Sequence, residues 1–180
     1  KEIKFHDLWN THGVFTTMRV IGKPAKILFF KNHIDNLVKS LKIYKIYKKN
    51  TKKNILNLIK SNISNKKKYD HLCRVALNNK VISISLRKRL KPKINFTLKL
   101  LNYKRIDPKY KNLKYKKILN FLKKLDKSKF DIALYKDKKI LETGTSNLLF
   151  VKNNKIYSPT KNFYEGTTLK FFLKKIRKIK

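Results

Sequence analysis

The stretch LETGTSNLLF, residues 141–150, sets one carboxylate beside small polar residues, between apolar flanks. Glu142 is one of three glutamates, with Glu2 and Glu165, in a chain carrying 48 lysines and arginines. A carboxylate in a strand with buried flanks needs a cation or several donors. A surface ion pair with one of the many lysines would meet that need. So would a cationic ligand atom, with Thr143, Thr145, Ser146 and Asn147 adding hydrogen bonds. A second candidate is EGTTLKFF, where Gly166 precedes Thr167 and Thr168 at an expected helix start. Free N–H groups, the positive dipole end and two hydroxyls make an anion site there. An ordinary N-cap by Thr167 accounts for the same residues.

A third chemistry is a nucleophilic lysine, which must be partly neutral, as desolvation makes it. Lys114 lies four, eight and eleven residues before Ile118, Leu122 and Leu125, so it heads the apolar stripe of an expected helix. Lys116 falls with Asn120, Lys123 and Lys124 on the wet side. His6, His12, His33, His71 and Cys73 show no metal-ligand spacing, and no metal site is expected. Cys73 reads as a small core residue. No GxSxG, P-loop or dinucleotide glycine pattern occurs.

The elements that must position these groups follow from periodicity. GVFTTMRVI (13–21) and AKILFF (25–30) predict a hairpin across GKP. Ile34, Leu37, Val38, Leu41 and Tyr44 share one face of a predicted helix that Asn32 could cap. NILNLIKSNI predicts a second helix; HLCRVAL, KVISISL and INFTLKLL predict strands. Pro92 interrupts the pattern and sets the expected boundary between domains 1–91 and 92–180. Beyond it come a loop at 107–112, a helix over about 115–125, strands at DIALY, ILETGTSNLLFV and KIYSP, and a last helix over 166–178. The pattern is two mixed units of class α+β.

The 180 residues are enough for a real core, and 41% hydrophobic residues exclude a disordered composition. A lone cysteine suits a reducing, cytoplasmic setting. No apolar run is long enough to span a bilayer, so no membrane partner is expected. A chain that does not begin with methionine is expected to be a fragment. The net charge of +38 would attract nucleic acid, yet the 48 cations divide into 42 lysines and only 6 arginines. Arginine is the better residue for phosphate and base edges. Few Ala, Gly and Pro beside many Lys, Asn and Ile indicate A/T-rich coding instead. A nucleic-acid-binding basic protein stays as the alternative function.

The order GVFTTMRV, HIDNL, NLKYKKIL, ETGTSNLLFVKNNKIYSP and GTTL, over about His12 to Phe172, resembles the class IV aminotransferase family. These are pyridoxal-phosphate enzymes of fold type IV, among them branched-chain and D-amino-acid aminotransferases and aminodeoxychorismate lyase. The resemblance implies a two-domain fold, with a small N-terminal α/β domain (1–91) and a larger, mixed, cofactor-binding C-terminal domain (92–180). It further implies that the second domain is cut short at its C-terminal end. By resemblance Lys114 would be covalently bonded to pyridoxal 5′-phosphate and act at the substrate Cα, while Glu142 would face the pyridine nitrogen. Gly166, Thr167 and Thr168 would cradle the phosphate, Ser146 and Asn147 would line or brace the pocket, and Phe15 and Thr17 would form a wall toward the substrate. FTTMRV is more similar to the aminodeoxychorismate lyase branch. The family's phosphate-gripping arginine is Asn36 here, and Lys39 is expected to substitute as a point charge. Lys117 stands for an asparagine, and Leu169 for an arginine. Transamination of an amino acid, or cleavage of aminodeoxychorismate to 4-aminobenzoate and pyruvate, in a homodimer, is the implied activity; a catalytically inactive relative is the other outcome of these departures.

Overall fold

The computed structural model describes residues 8–176, so Glu2, His6 and the last residues of the helix expected over 166–178 lie outside the described residues. The chain forms two compact units. One runs to Arg89 and takes back Lys111–Lys114; the other comprises Leu90–Tyr110 and resumes at Tyr115.

The first unit is built from β1 (Gly13–Gly22), β2 (Lys26–Ile27), α1 (Phe30–Ile43), α2 (Thr51–Asn62), β3 (Tyr69–Asn78) and β4 (Ile82–Lys88). They form one antiparallel sheet in the order β2-β1-β3-β4. β1 and β3 pair along their full length, from Gly13 opposite Asn78 to Gly22 opposite Tyr69. Strand alternation then divides the residues between two faces. Val14, Met18 and Val20 join Cys73, Val75 and Leu77 in the core with Ile34, Leu37 and Leu41 of α1 and Ile55 and Ile59 of α2. Each such side chain contributes about 1.5–3 kcal/mol by leaving water. The alternate positions, Phe15, Thr17 and Arg19 opposite Ala76, Arg74 and Leu72, form the second face.

The AKILFF strand stops after two residues. Leu28 still donates its N–H to the Arg19 carbonyl, but Phe29 then takes a left-handed backbone (φ 52°) and α1 begins at Phe30. A short apolar run does not by itself distinguish strand from helix. Here Phe30, four residues before Ile34, extends the helical face back onto the core. Phe29 is therefore the N-cap, and Asn32 lies inside the first turn rather than capping it.

The second unit contains β5 (Thr97–Asn102), α3 (Lys116–Lys123), β6 (Phe130–Lys136), β7 (Lys139–Thr143), β8 (Phe150–Lys152), β9 (Lys155–Tyr157) and α4 (Thr167–Ile176). β5 runs parallel to β6, and β7 returns antiparallel. A parallel pair needs a crossover, and α3 lies in it. Ile118 and Leu122 of α3 pack with Ile132 and Leu134 of β6. The turns at Asp137-Lys138 and Asn153-Asn154 put both central residues at positive φ, the type I′ geometry that matches strand twist. ILETGTSNLLFV is two strands, not one: Thr143 and Ser146 close a turn on each other, and Phe150 opens the separate β8–β9 hairpin. Among the described residues no helix is long and apolar enough to cross a membrane.

Candidate active site

β7 places Glu142 opposite Leu134, beside an irregularity in the register at Leu134 and Tyr135. Glu142 is 4% exposed, and Arg105, as deeply buried at 5%, donates from Nη1 to Glu142 Oε2 over 3.4 Å. The partner is thus a buried arginine rather than a surface lysine. Arg105 also donates from Nη2 to the Tyr110 carbonyl (3.0 Å). Its guanidinium lies 5.5 Å from the Tyr115 ring centre and 5.7 Å from that of Tyr164. Burial pushes the Tyr164 phenol above its usual range, with Arg105 opposing and Glu142 reinforcing that rise, so all three groups share one electrostatic neighbourhood.

Tyr164 leads to the start of α4. Its carbonyl accepts from Asn147 Nδ2 (2.5 Å), and Asn147 Oδ1 accepts the Gly166 N–H (3.0 Å). A Cβ on Gly166 would stand 2.7 Å from that Oδ1, so any larger residue there would push the Asn147 amide out of this position. Thr167 is buried and Thr168 exposed at the helix start. Within the second unit Glu142, Arg105, Tyr164, Asn147 and Gly166 therefore form one continuous chain of contacts.

The loop between Glu142 and Asn147 hangs on a buried carboxylate. Asp131 accepts from the Thr143 hydroxyl (2.9 Å), the Thr145 hydroxyl (2.6 Å) and the Ile132 N–H (2.7 Å). Thr143 Oγ1 in turn accepts the Ser146 N–H (2.7 Å). Ser146 is exposed at the end of this network, and Asn147 is half-buried.

Lys114 belongs to the first unit. Residues 111–114 lie antiparallel to the start of β1: the Phe15 N–H donates to the Lys111 carbonyl, and the Leu113 N–H to the Gly13 carbonyl. The Asn10 N–H donates to the Leu113 carbonyl (2.8 Å), and the Lys114 N–H to Asn112 Oδ1 (3.1 Å). Lys114 is exposed and precedes α3, so it does not head that helix's apolar stripe: helical geometry begins only at Lys116, because the segment before it pairs with β1. Gly13 makes the pairing feasible, since a Cβ there would sit 2.2 Å from the Leu77 carbonyl oxygen and 2.6 Å from Leu113 Cδ1.

Phe15, on the second face, is buried with Leu8, Ala76, Leu113 and Trp9; Trp9 meets it edge-on at 5.0 Å and the Lys111 ammonium lies 5.2 Å from its ring centre. Thr17 is half-buried opposite Arg74. Behind them, on the helix side, Thr16 Oγ1 is 2.9 Å from His33 Nδ1. Burial, with the Lys111 charge, lowers the His33 pKa to about 4. Lys39 is exposed on α1, and Asn36 half-buried. Among the described residues no group of three or more His, Cys, Asp or Glu is placed to hold a metal ion.

Arg105 and Tyr164 escape motif reasoning. One signal pointed to Arg105: it is one of 6 arginines, the residue that A/T-rich coding does not supply freely. No comparable signal marked Tyr164.

No curated protein sequence matches the chain. Among solved structures, one provisionally named a 4-amino-4-deoxychorismate lyase superposes with a TM-score of 0.77 at 16% identity, covering 99% of this chain and 77% of the other. The branched-chain aminotransferase of Thermoproteus uzoniensis, solved with norvaline, gives 0.74 at 14% identity, covering 94% and 67%. A branched-chain amino acid aminotransferase from T.th., solved with pyridoxamine 5′-phosphate, gives 0.67 at 14% identity, covering 93% and 64%. At these identities the likeness is one of fold: the mixed α and β architecture is that of these enzymes. The sequence model for amino-transferase class IV matches residues 13–180, which is nearly the whole chain, and the protein belongs to the class IV aminotransferase family.

Proposed function

We propose that the chain binds pyridoxal 5′-phosphate and acts on a small amino-bearing substrate, either by moving its amino group or by cleaving aminodeoxychorismate to 4-aminobenzoate and pyruvate. The observation that carries this is the contact chain from the buried Glu142–Arg105 pair, through Tyr164 and Asn147, to the glycine-led start of α4. Its donor set suits the cofactor: a carboxylate for a protonated ring nitrogen at one end and, at the other, a helix start whose first N–H groups lack intrahelical acceptors. When bound, the cofactor supplies an electron-poor ring that stabilises negative charge at the substrate Cα.

The protein residues do the rest. Glu142 holds the proton at the ring nitrogen, and Arg105 keeps the carboxylate in place. The start of α4 at Gly166, Thr167 and Thr168 cradles the phosphate, with Gly166 leaving room and its N–H held by Asn147, and Ser146 sits on the loop that Asp131 secures. Lys114 Nζ would anchor the cofactor covalently and, once the substrate amine had displaced it from that bond, would be free to take and return the proton at the substrate Cα. Phe15 and Thr17 wall the substrate side, and Lys39 adds positive charge in place of the arginine replaced by Asn36. The chain associates into a homodimer in this reading. Sedimentation over a salt series tests it: at +38 the dimer strengthens as salt screens repulsion, and dissociation at high salt refutes it.

Borohydride reduction of the protein mixed with pyridoxal phosphate, followed by peptide mapping, tests the assignment. One dominant label on Lys114, absent from Lys114→Arg, is the expected result. Labels spread over surface lysines with none at 114 would overturn it.

A further inference from the structure

Tyr164 takes part in the contact chain twice. Its ring lies against the Arg105 guanidinium, which pairs with Glu142. Its main-chain carbonyl holds Asn147, which fixes the Gly166 N–H. Packing around Gly166 is tight: the position of a Cβ there is 2.7 Å from Asn147 Oδ1 and 4.0 Å from Tyr164 Cε1. Close-packed groups pass displacement on rather than absorb it. The aromatic face also gives a cation what an aliphatic side chain cannot, a negative quadrupole within about 6 Å.

We propose that Tyr164 is a positioning residue that couples the two ends of the cofactor site, so that an anion at the start of α4 raises affinity for a ring at Glu142, and the reverse. This rests on the pyridoxal-phosphate binding proposed above and assigns that site an internal cooperativity. An anion that draws Gly166 and Asn147 into place also sets the Tyr164 carbonyl, and with it the ring that holds Arg105 against Glu142.

Pyridoxine and phosphite dianion together make up the two halves of pyridoxine 5′-phosphate, and pyridoxine has no aldehyde to react with surface lysines. Calorimetry of pyridoxine binding, with and without saturating phosphite, reads the coupling directly. In the wild type phosphite should tighten pyridoxine about fivefold or more, and pyridoxine should tighten phosphite by the same factor. Tyr164→Phe keeps the ring and the carbonyl and should keep that factor. Tyr164→Leu, or Tyr164→Met should the leucine variant not fold, should bring it to within about twofold of unity.

A wild type that binds pyridoxine 5′-phosphate while its two halves bind independently would overturn the proposal, whatever the variants do. So would a leucine or methionine variant with undiminished coupling, or a phenylalanine variant without it. A wild type that fails to bind pyridoxine 5′-phosphate at all would instead defeat the cofactor assignment on which the coupling depends.

Discussion

Gly13 is the position where one methyl group would test how Lys114 is held. An alanine Cβ would stand 2.2 Å from the Leu77 carbonyl oxygen and 2.6 Å from Leu113 Cδ1. Favourable contacts begin at about 3.5 Å, so the first overlap exceeds about 1 Å. The Leu77 oxygen is backbone, tied into the β1–β3 ladder opposite Val14, and cannot rotate away. Leu113 is buried and can move only by giving up its place in the Phe15 cluster. Overpacking of this kind costs about 1–3 kcal/mol, and the rigid contact puts Gly13→Ala near the top of that range. At about 4–8 °C per kcal/mol for a unit of this size, melting should fall by about 12–24 °C. Hydrogen exchange localises the damage: the Phe15 and Leu113 amides, which tie residues 111–114 to β1, should lose protection ahead of the amides between β3 and β4. In a Leu113→Ala background the added cost of Gly13→Ala should shrink but not vanish, because only one of the two contacts has gone. Unchanged melting, together with intact protection at Phe15 and Leu113, would refute the claim that glycine is needed for this docking.

Arg105→Ala leaves Glu142 buried without its guanidinium and should destabilise the second unit by about 3–5 kcal/mol in urea melts, with Glu142→Gln in that background recovering part of the loss. His33 has a folded pKa of about 4 against 6.5 when exposed, so its contribution is fully present above pH 6.5 and is lost as pH falls toward 4. The ceiling is about 3 kcal/mol, nearer 1–2 kcal/mol once solvent access to the half-buried ring is allowed for; His33→Gln should flatten the melting-versus-pH curve between pH 7 and 4.5, and a parallel curve would count against it. Burial raises the Cys73 thiol to about 11, so iodoacetamide at pH 8 should label it only as fast as the first unit opens; rapid labelling of the folded protein would contradict its place in the core.

Much of the first unit is legible from strand alternation and helical spacing: β1, β3, β4, the inward face of α1 and the place of α2 in the chain stand where the pattern puts them. The pattern fails at AKILFF, a run too short and too uniformly apolar to carry a period, and at ILETGTSNLLFV, where hydrogen bonds from the Thr143 and Thr145 hydroxyls to Asp131 bend what composition reads as a straight strand. The candidate residues in LETGTSN and EGTT were visible because carboxylates and glycines are scarce in this chain. The groups that connect them were not. Arg105 stands 37 residues from Glu142, and Tyr164 17 from Asn147, and no local spacing rule reaches across such distances. Helical periodicity puts Lys114 at the head of the following helix because it extrapolates backward without limit; only the hydrogen bonds to β1 show where it stops.

The return of residues 111–114 to the first unit bears on how the nascent polypeptide matures. A ribosome that has released everything up to Arg89 has supplied the four-stranded sheet and both its helices, yet not Leu113, which closes the hydrophobic cluster around Phe15, nor the Lys111 and Leu113 carbonyls that receive the Phe15 and Asn10 amides. The N-terminal half must therefore wait for the opening segment of its successor to emerge before that edge is sealed. Synthesis order thereby makes the stretch carrying Lys114 the closing piece of one half, at the moment the other begins to form.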